Sequence, residues 1–245
     1  DQNYTIYFVI EFNKDIKKFG GWHDHTLWET DTMTAHYPQR FGCYAEFDTT
    51  DHPEVMVRSG ISYVDMAGAS NNLSNEITEP FGWNFEAVHK HQSDSWNNIL
   101  NRVRIYSNDY REKVRFYTNL YRAFCRNTFS GADRRWVDAA GNIQKLDDPD
   151  AVALGCDAFW NTFWNLNQVW NLIAPEWSSR WVKSQLAMYD ANGWLAKGPS
   201  GMKYIPVMVG EHEIPLLVST YQMGIRNYDA EKMFRAIVKM QTTPA

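Results

Sequence analysis

The sequence predicts a mixed, mainly α fold, with strands gathered at the start and helices after them. Three observations carry this. Up to about Asp65, β-branched and aromatic residues run in strand-like blocks. Beyond it, apolar residues recur at the 3.6-residue period of a helix. No regular strand–helix alternation, the mark of a parallel sheet, interrupts that second part. The chain has 245 residues, enough for one large domain or two small ones.

The elements follow in order. Tyr4 to Phe12 reads as a strand buried on both faces, and Cys43 to Phe47 as a second. Val55, Val57, Ser59, Ile61 and Tyr63 share one face of a third, with Gly60 a candidate bulge. The segment between, from Gly20-Gly21-Trp22-His23-Asp24-His25 onward, reads as loop. At most four strands precede the change of period, too few for a self-sufficient sandwich, so this part reads as the tail of a β-domain. Phe85 to Val103 then carries an apolar stripe, and Tyr110 to Arg126 a stronger one. Phe159 to Ile173 is a third helix that Pro175 helps to end. Trp181 to Asp190 is a fourth, closed by Asn192-Gly193. Pro215 to Gly224 is a fifth, and Asp229 caps a sixth over Ala230 to Gln241. Helices in unbroken succession imply an all-α toroid or bundle.

Composition excludes several function classes. With 24 basic against 29 acidic residues, net charge −5 and no Lys/Arg block, nothing favours nucleic acid. The longest uncharged stretch, Ala158 to Pro175, holds five side-chain amides, too many for lipid, so no membrane span is expected. Asp1-Gln2-Asn3-Tyr4 shows no signal-peptide pattern, as a trimmed start would also show none. Cys43, Cys125 and Cys156 lie far apart and form neither a disulfide framework nor a zinc signature. Aromatic residues are abundant: 11 Trp, 13 Tyr and 13 Phe. Such rings fill cores, and they also floor sugar sites, where pyranose C–H faces stack on them.

Chemistry is expected in two places. Gly193 to Pro215 is punctuated by seven glycines and prolines and reads as a long loop. It carries Glu211-His212-Glu213, two carboxylates around an imidazole. These suit general-acid work or a cation, or else a solvated cluster capping the next helix. Asp157-Ala158-Phe159-Trp160-Asn161-Thr162 opens an aromatic helix, where Trp160 could stack on a ligand and Asn161 hydrogen-bond it, or where the rings simply belong to the core. His23-Asp24-His25 has the look of a metal site, yet such pairs are common in surface loops. No phosphate loop, dinucleotide fingerprint, nucleophile elbow or HExxH is present.

Six segments then fall in a recognisable order: Tyr7-Phe8-Val9-Ile10-Glu11-Phe12, Val57-Arg58-Ser59-Gly60-Ile61-Ser62-Tyr63, Phe116-Tyr117-Thr118-Asn119-Leu120-Tyr121, Phe159-Trp160-Asn161-Thr162, Gly193-Trp194-Leu195, and Gly224-Ile225-Arg226-Asn227-Tyr228-Asp229-Ala230-Glu231-Lys232. In this order the chain resembles glycoside hydrolase family 92, calcium-dependent inverting exo-α-mannosidases with an N-terminal β-sandwich and a catalytic (α/α)6 toroid. The resemblance implies a partial β-sandwich followed by part of that toroid. Residues 1–66 would be the C-terminal part of the sandwich, 67–108 linker helices, and 109–245 the N-terminal part of the catalytic domain.

Two departures from the family pattern bear on mechanism. Where the family has Trp-Asp-Thr, this chain has Trp160-Asn161-Thr162. The family's general-acid Glu falls on Tyr204, whose phenol is a poor acid at neutral pH. Glu211 is the expected replacement acid, with Trp160, Asn161, Trp194, Tyr204, His212 and Glu213 binding substrate. Relatives whose leaving group is a phosphate need no acid, so a mannosyl-phosphate hydrolase is the first alternative and a non-catalytic glycan-binding remnant the second. The chain stops before the family's base motif and calcium ligands. It is therefore expected to be a fragment, with the remaining half of the toroid as its partner and no tight calcium site of its own. By the same resemblance the whole protein would be secreted or periplasmic and act on terminal α-mannosides of N-glycans.

Overall fold

A computed structural model of the chain describes residues 4–36, 40–155, 159–197, 199–200, 203–204 and 210–243, without the side chains of Asn161 and residues 199, 200, 203 and 204. It divides into two compact units, Val9–Ser59 and the remainder.

In the first unit, β2 (Lys18–His23) lies between β3 (Thr26–Glu29) and β4 (Phe41–Glu46) in an antiparallel sheet of order β3-β2-β4. The loop expected at Gly20 and Gly21 is thus a central strand. These glycines serve close packing rather than a turn: a Cβ on Gly20 would sit 2.3 Å from the Trp28 carbonyl oxygen and 2.7 Å from the Tyr44 ring. Only the two-residue connection Asp24-His25 turns the chain, with Asp24 at φ +52°. β1 (Tyr7–Phe12) pairs with β5 (Val57–Ser62), and Arg58 donates to Glu11 from Nε and Nη2 at 2.7 and 2.6 Å. β1 is not buried on both faces as its composition suggests. Phe8 and Ile10 stay exposed, because the two-stranded ribbon offers an inner face only to alternate residues.

In the second unit, α1 (Met66–Leu73) starts at Asp65, whose carboxylate accepts from the Gly68 N–H at 2.6 Å. It runs through a π-helical turn, Ser74–Thr78, into α2 (Glu79–Phe81), which ends at Gly82 with φ +58°. Asn84 and Asp109 cap α3 (Phe85–Leu100) and α4 (Tyr110–Phe124) in the same manner. Four short strands follow, where the periodicity suggested only helices: β6 (Asn127–Thr128), β7 (Arg135–Val137), β8 (Ile143–Lys145) and β9 (Leu154–Gly155). At two or three residues each they carry no readable alternation. β7 pairs with β8, β6 with β9, and Gly155 accommodates Phe129: a Cβ there would fall 1.8 Å from that ring.

The aromatic segment expected as one helix is two, α5 (Phe159–Thr162) and α6 (Leu166–Ile173). The break is local: Asn165 sits at φ −154°, ψ −19°, outside the helical region. Pro175 does not merely end this segment. It occupies the first turn of α7 (Pro175–Asn192), where its missing N–H costs nothing. α7 ends on Gly193 in the left-handed region, φ +77°. The following segment includes a small hairpin, β10 (Pro199–Ser200) with β11 (Lys203–Tyr204). α8 (Glu213–Gln222) begins two residues earlier than expected, and α9 (Ala230–Thr242) starts at the Asp229 cap.

The core centres on α7. Trp181 is fully buried, stacked on Trp170 at 6.1 Å and met edge-on by Phe159 at 5.3 Å. Leu186, Leu216, Leu217, Met233 and Ala236 extend it across α8 and α9. Removing one such buried indole costs about 3–5 kcal/mol. This packing holds α5 and the start of α8 in contact.

Candidate functional site

An aromatic path leads from α5 to the start of α8. Trp160 meets Trp164 edge-on at 6.2 Å, Trp164 meets Phe163 edge-on at 6.4 Å, and the His212 ring lies flat on Phe163 at 4.5 Å with 6° between planes. The turn that breaks the aromatic helix presents these rings. Trp160 is 44% exposed and Trp164 67%, so two indoles face outward as a platform on which a sugar ring could stack. Gly210, at φ +81°, turns the chain into His212. A Cβ there would lie 2.8 Å from the imidazole Nε2.

The two carboxylates flanking His212 differ sharply. Glu211 is half-buried, and Lys197 donates from Nζ to its Oε1 at 3.2 Å. Its Oε2 is buried and has no hydrogen-bond partner among the described residues. Glu213, in the first turn of α8, has no exposed surface, and among the described residues neither of its oxygens makes a hydrogen bond. Burial, and then the neighbouring Glu211 carboxyl, push Glu213 up to about 8, against the smaller opposing pull of its own backbone N–H and of Lys197. A carboxylic acid that keeps its proton at neutral pH is what general-acid chemistry requires.

Of the residues singled out in the sequence, the fold places Trp160, Glu211, His212 and Glu213 on or beside the contact between α5 and α8. Trp194 is held otherwise: the Lys239 ammonium from α9 sits 4.5 Å over its ring and donates to the Gly193 carbonyl at 2.6 Å. Asn161 belongs to α5 and Tyr204 to β11, and their side chains lie outside the described residues, as do Asp157 and Ala158. Sequence reasoning missed Phe163, Trp164 and Lys197. The run Phe159-Trp160…Phe163-Trp164 was a visible signal, but only the turn after Thr162 makes a surface of it. No sequence signal pairs Lys197 with Glu211.

Among the described residues no group of three or more His, Cys, Asp or Glu side chains could hold a metal ion. The donors among the described residues do not make a calcium cage. In the other unit, His23 Nδ1 lies 3.4 Å from Asp24, and among the described residues these two belong to no metal-binding group. A cleft of about 530 Å³ opens between the β7–β8 hairpin, α7 and the start of α9. Tyr228, Lys183 and Lys232 line it, and none of the expected catalytic or substrate-binding residues does. No described helix is long and apolar enough to cross a membrane.

Solved structures share this architecture. The family GH92 inverting mannosidase BT2199 from Bacteroides thetaiotaomicron VPI-5482 superposes with a TM-score of 0.84 at 22% identity, covering 100% of this chain and 33% of its own. The family GH92 α-mannosidase BT3965 from Bacteroides thetaiotaomicron gives 0.82 at 22% identity, over 98% of this chain and 33% of its own. In complex with mannoimidazole, BT3965 gives 0.81 at 23%, over 97% and 31%. The chain thus spans about a third of the length of these proteins, and at such identities the likeness is one of fold. No curated protein shows significant similarity to it. Two family models match the sequence directly, the glycosyl hydrolase family 92 N-terminal domain over residues 1–62 and the family 92 catalytic domain over residues 68–245. Together they take in nearly all of the sequence, and the chain belongs to glycosyl hydrolase family 92.

Proposed function

We propose that the protein to which this chain belongs is an inverting α-mannosidase, secreted or periplasmic, that removes terminal α-mannosides from N-glycans, with Glu211 as its general acid. The observation that carries the reading is the site itself: outward indoles on α5 and in the turn after it, joined through Phe163 and His212 to the half-buried Glu211 and the fully buried Glu213. Trp160, Asn161, Trp194, Tyr204, His212 and Glu213 are assigned to substrate binding. Family membership and two structural neighbours named as mannosidases support the substrate class.

In inverting hydrolysis one carboxyl protonates the leaving oxygen while a second, about 6.5–9.5 Å away, activates water on the opposite face. We assign no residue of this chain to the second role. Calcium is assigned to the full-length protein and not to these residues. Tyr204, at the family's acid position, favours one other reading, hydrolysis of mannosyl phosphates, whose leaving group departs without a proton. Mannose release by the full-length protein from mannosides and from mannosyl phosphodiesters separates them. Release from mannosides supports the proposal. Release from phosphodiesters alone selects the alternative, and glycan binding without release marks a binding remnant.

A further inference from the structure

Among the described residues, three buried carboxylate oxygens at the start of α8 have no hydrogen-bond donor: Oε2 of Glu211 and both oxygens of Glu213. An ionised carboxylate can only accept, so two of them side by side leave one another unsatisfied. Buried and unpaired, such groups are costly, by several kcal/mol for a charge. Lys197 supplies one ammonium and spends it on Oε1 of Glu211. What the cluster lacks is a donor between the two carboxyls.

We infer that Glu211 and Glu213 share one proton, carried by Glu213 and donated to Oε2 of Glu211, so that Glu213 is the store from which the site's acid proton is drawn. The assignment of the proton to Glu213 follows from the surroundings of each group. Glu213 has no exposed surface, which penalises its charged form, while Glu211 is half-exposed and faces the Lys197 ammonium. Lys197 and Glu211 are the charged groups that bear most on Glu213, and both come from the segment preceding α8. His212, the residue between the two carboxyls, stacks on Phe163 of the turn after α5. A pair of this kind titrates as a unit, and the first proton it keeps lies above the ordinary carboxyl range.

This rests on the mannosidase reading for its use and not for its existence. In the proposed reaction the pair loses one proton to the leaving oxygen through Glu211, its outer member, as the C–O bond breaks. The bonding electrons stay with that oxygen, two carboxylates remain, and solvent restores the proton. In this step Glu213 is a positioning residue that acts through Glu211.

Infrared difference spectra of the full-length protein, with glutamate carboxyls isotope-labelled, test the pair without any substrate. The expected result is a protonated-carboxyl band that disappears with a midpoint near 8. It is absent from Glu213→Gln and moves to lower pH in Glu211→Gln, where the like charge is gone. No carboxylic acid titrating between about pH 6 and 10, or a band unchanged in Glu213→Gln, overturns the inference. Should Glu213→Gln fail to fold, Glu211→Gln alone decides, because an unshifted midpoint excludes a shared proton. In kinetics, kcat/KM of the wild type should fall about tenfold per pH unit above the alkaline limb. Glu213→Gln should lose that limb. A full-length protein that binds mannosides without hydrolysing them would overturn the proposed function and leave the infrared result standing.

Discussion

Arg135 reaches from β7 to the cap of α1, donating to the two carboxylate oxygens of Asp65 at 2.7 and 3.2 Å while its Nε bonds Asp133. One Asp65 oxygen also accepts from the Gly68 N–H. The side chain therefore fixes both the first turn of α1 and its tie to the hairpin. The Arg135 hydrogen bonds, and then the Gly68 N–H, hold the Asp65 carboxyl below its usual range.

A carboxyl lowered in the folded state contributes stability above its unfolded pKa and loses it as pH falls through the folded value. The α1 amides of the full-length protein should therefore exchange faster with solvent as pH drops below about 4, after correction for the intrinsic rate. Asp65→Asn keeps an oxygen for the cap and should remove the acid sensitivity. Asp65→Ala should open α1 further, by about 0.5–2 kcal/mol for the lost cap. Equal protection in all three proteins would contradict this.

Glu213 predicts the opposite slope. Its pKa is raised from 4.5 to about 8, so between those values the folded state holds a proton that the unfolded state has released. Stability around α8 should fall as pH rises through that window. Hydrogen exchange of the α8 amides measures it, and Glu213→Gln should flatten the dependence.

Glu211→Gln in the full-length protein should slow hydrolysis of mannosides with poor leaving groups by about 10²–10⁴. Activated leaving groups and mannosyl phosphates should be much less affected. Equal loss on both substrate classes would assign Glu211 to binding, and no loss on either would remove it from the mechanism.

Gly193→Ala places a Cβ at φ +77°, a conformation that costs an L-residue about 1–2 kcal/mol, and brings it 3.2 Å from the Lys239 ammonium. The end of α7 and its tie to α9 through the Gly193 carbonyl should loosen. A lower melting temperature that Lys239→Met does not worsen additively would show that the two positions act together.

The isolated chain should associate. Leu172, Trp164 and Phe234 are each more than 60% exposed, and large exposed apolar side chains favour self-association. Sedimentation velocity reads this, and a monomer at all concentrations would speak against it. Calorimetric titration of the same sample should show no tight Ca²⁺ binding, and micromolar affinity would mean that the chain carries a calcium ligand set of its own.

Helix capping was open to a reader of the sequence. Asp229 before Ala230 and Gly193 after Asn192 act within a turn or two of themselves, so residue type and spacing state the outcome. The change from strands to helices near Asp65 was readable for the same reason, being a change in local period. The order of six short segments named the family, which single motifs could not. The central strand at Gly20 was not readable. Glycine there looks like a turn, and only the Trp28 carbonyl and the Tyr44 ring packed against it reveal why a side chain is excluded.

The site divides in the same way. Its sequence announces an acid candidate through Glu211-His212-Glu213 and an aromatic surface through Phe159 to Trp164. Tertiary structure alone decides which carboxyl keeps a proton, because that depends on what each one faces. Lys197 comes from fourteen residues away to meet Glu211, and the packing of α5, α6, α7 and α9 around α8 removes Glu213 from water. Residue identity sets which groups can ionise. Burial and the placement of distant charges set which of them do, and those are properties of the folded chain.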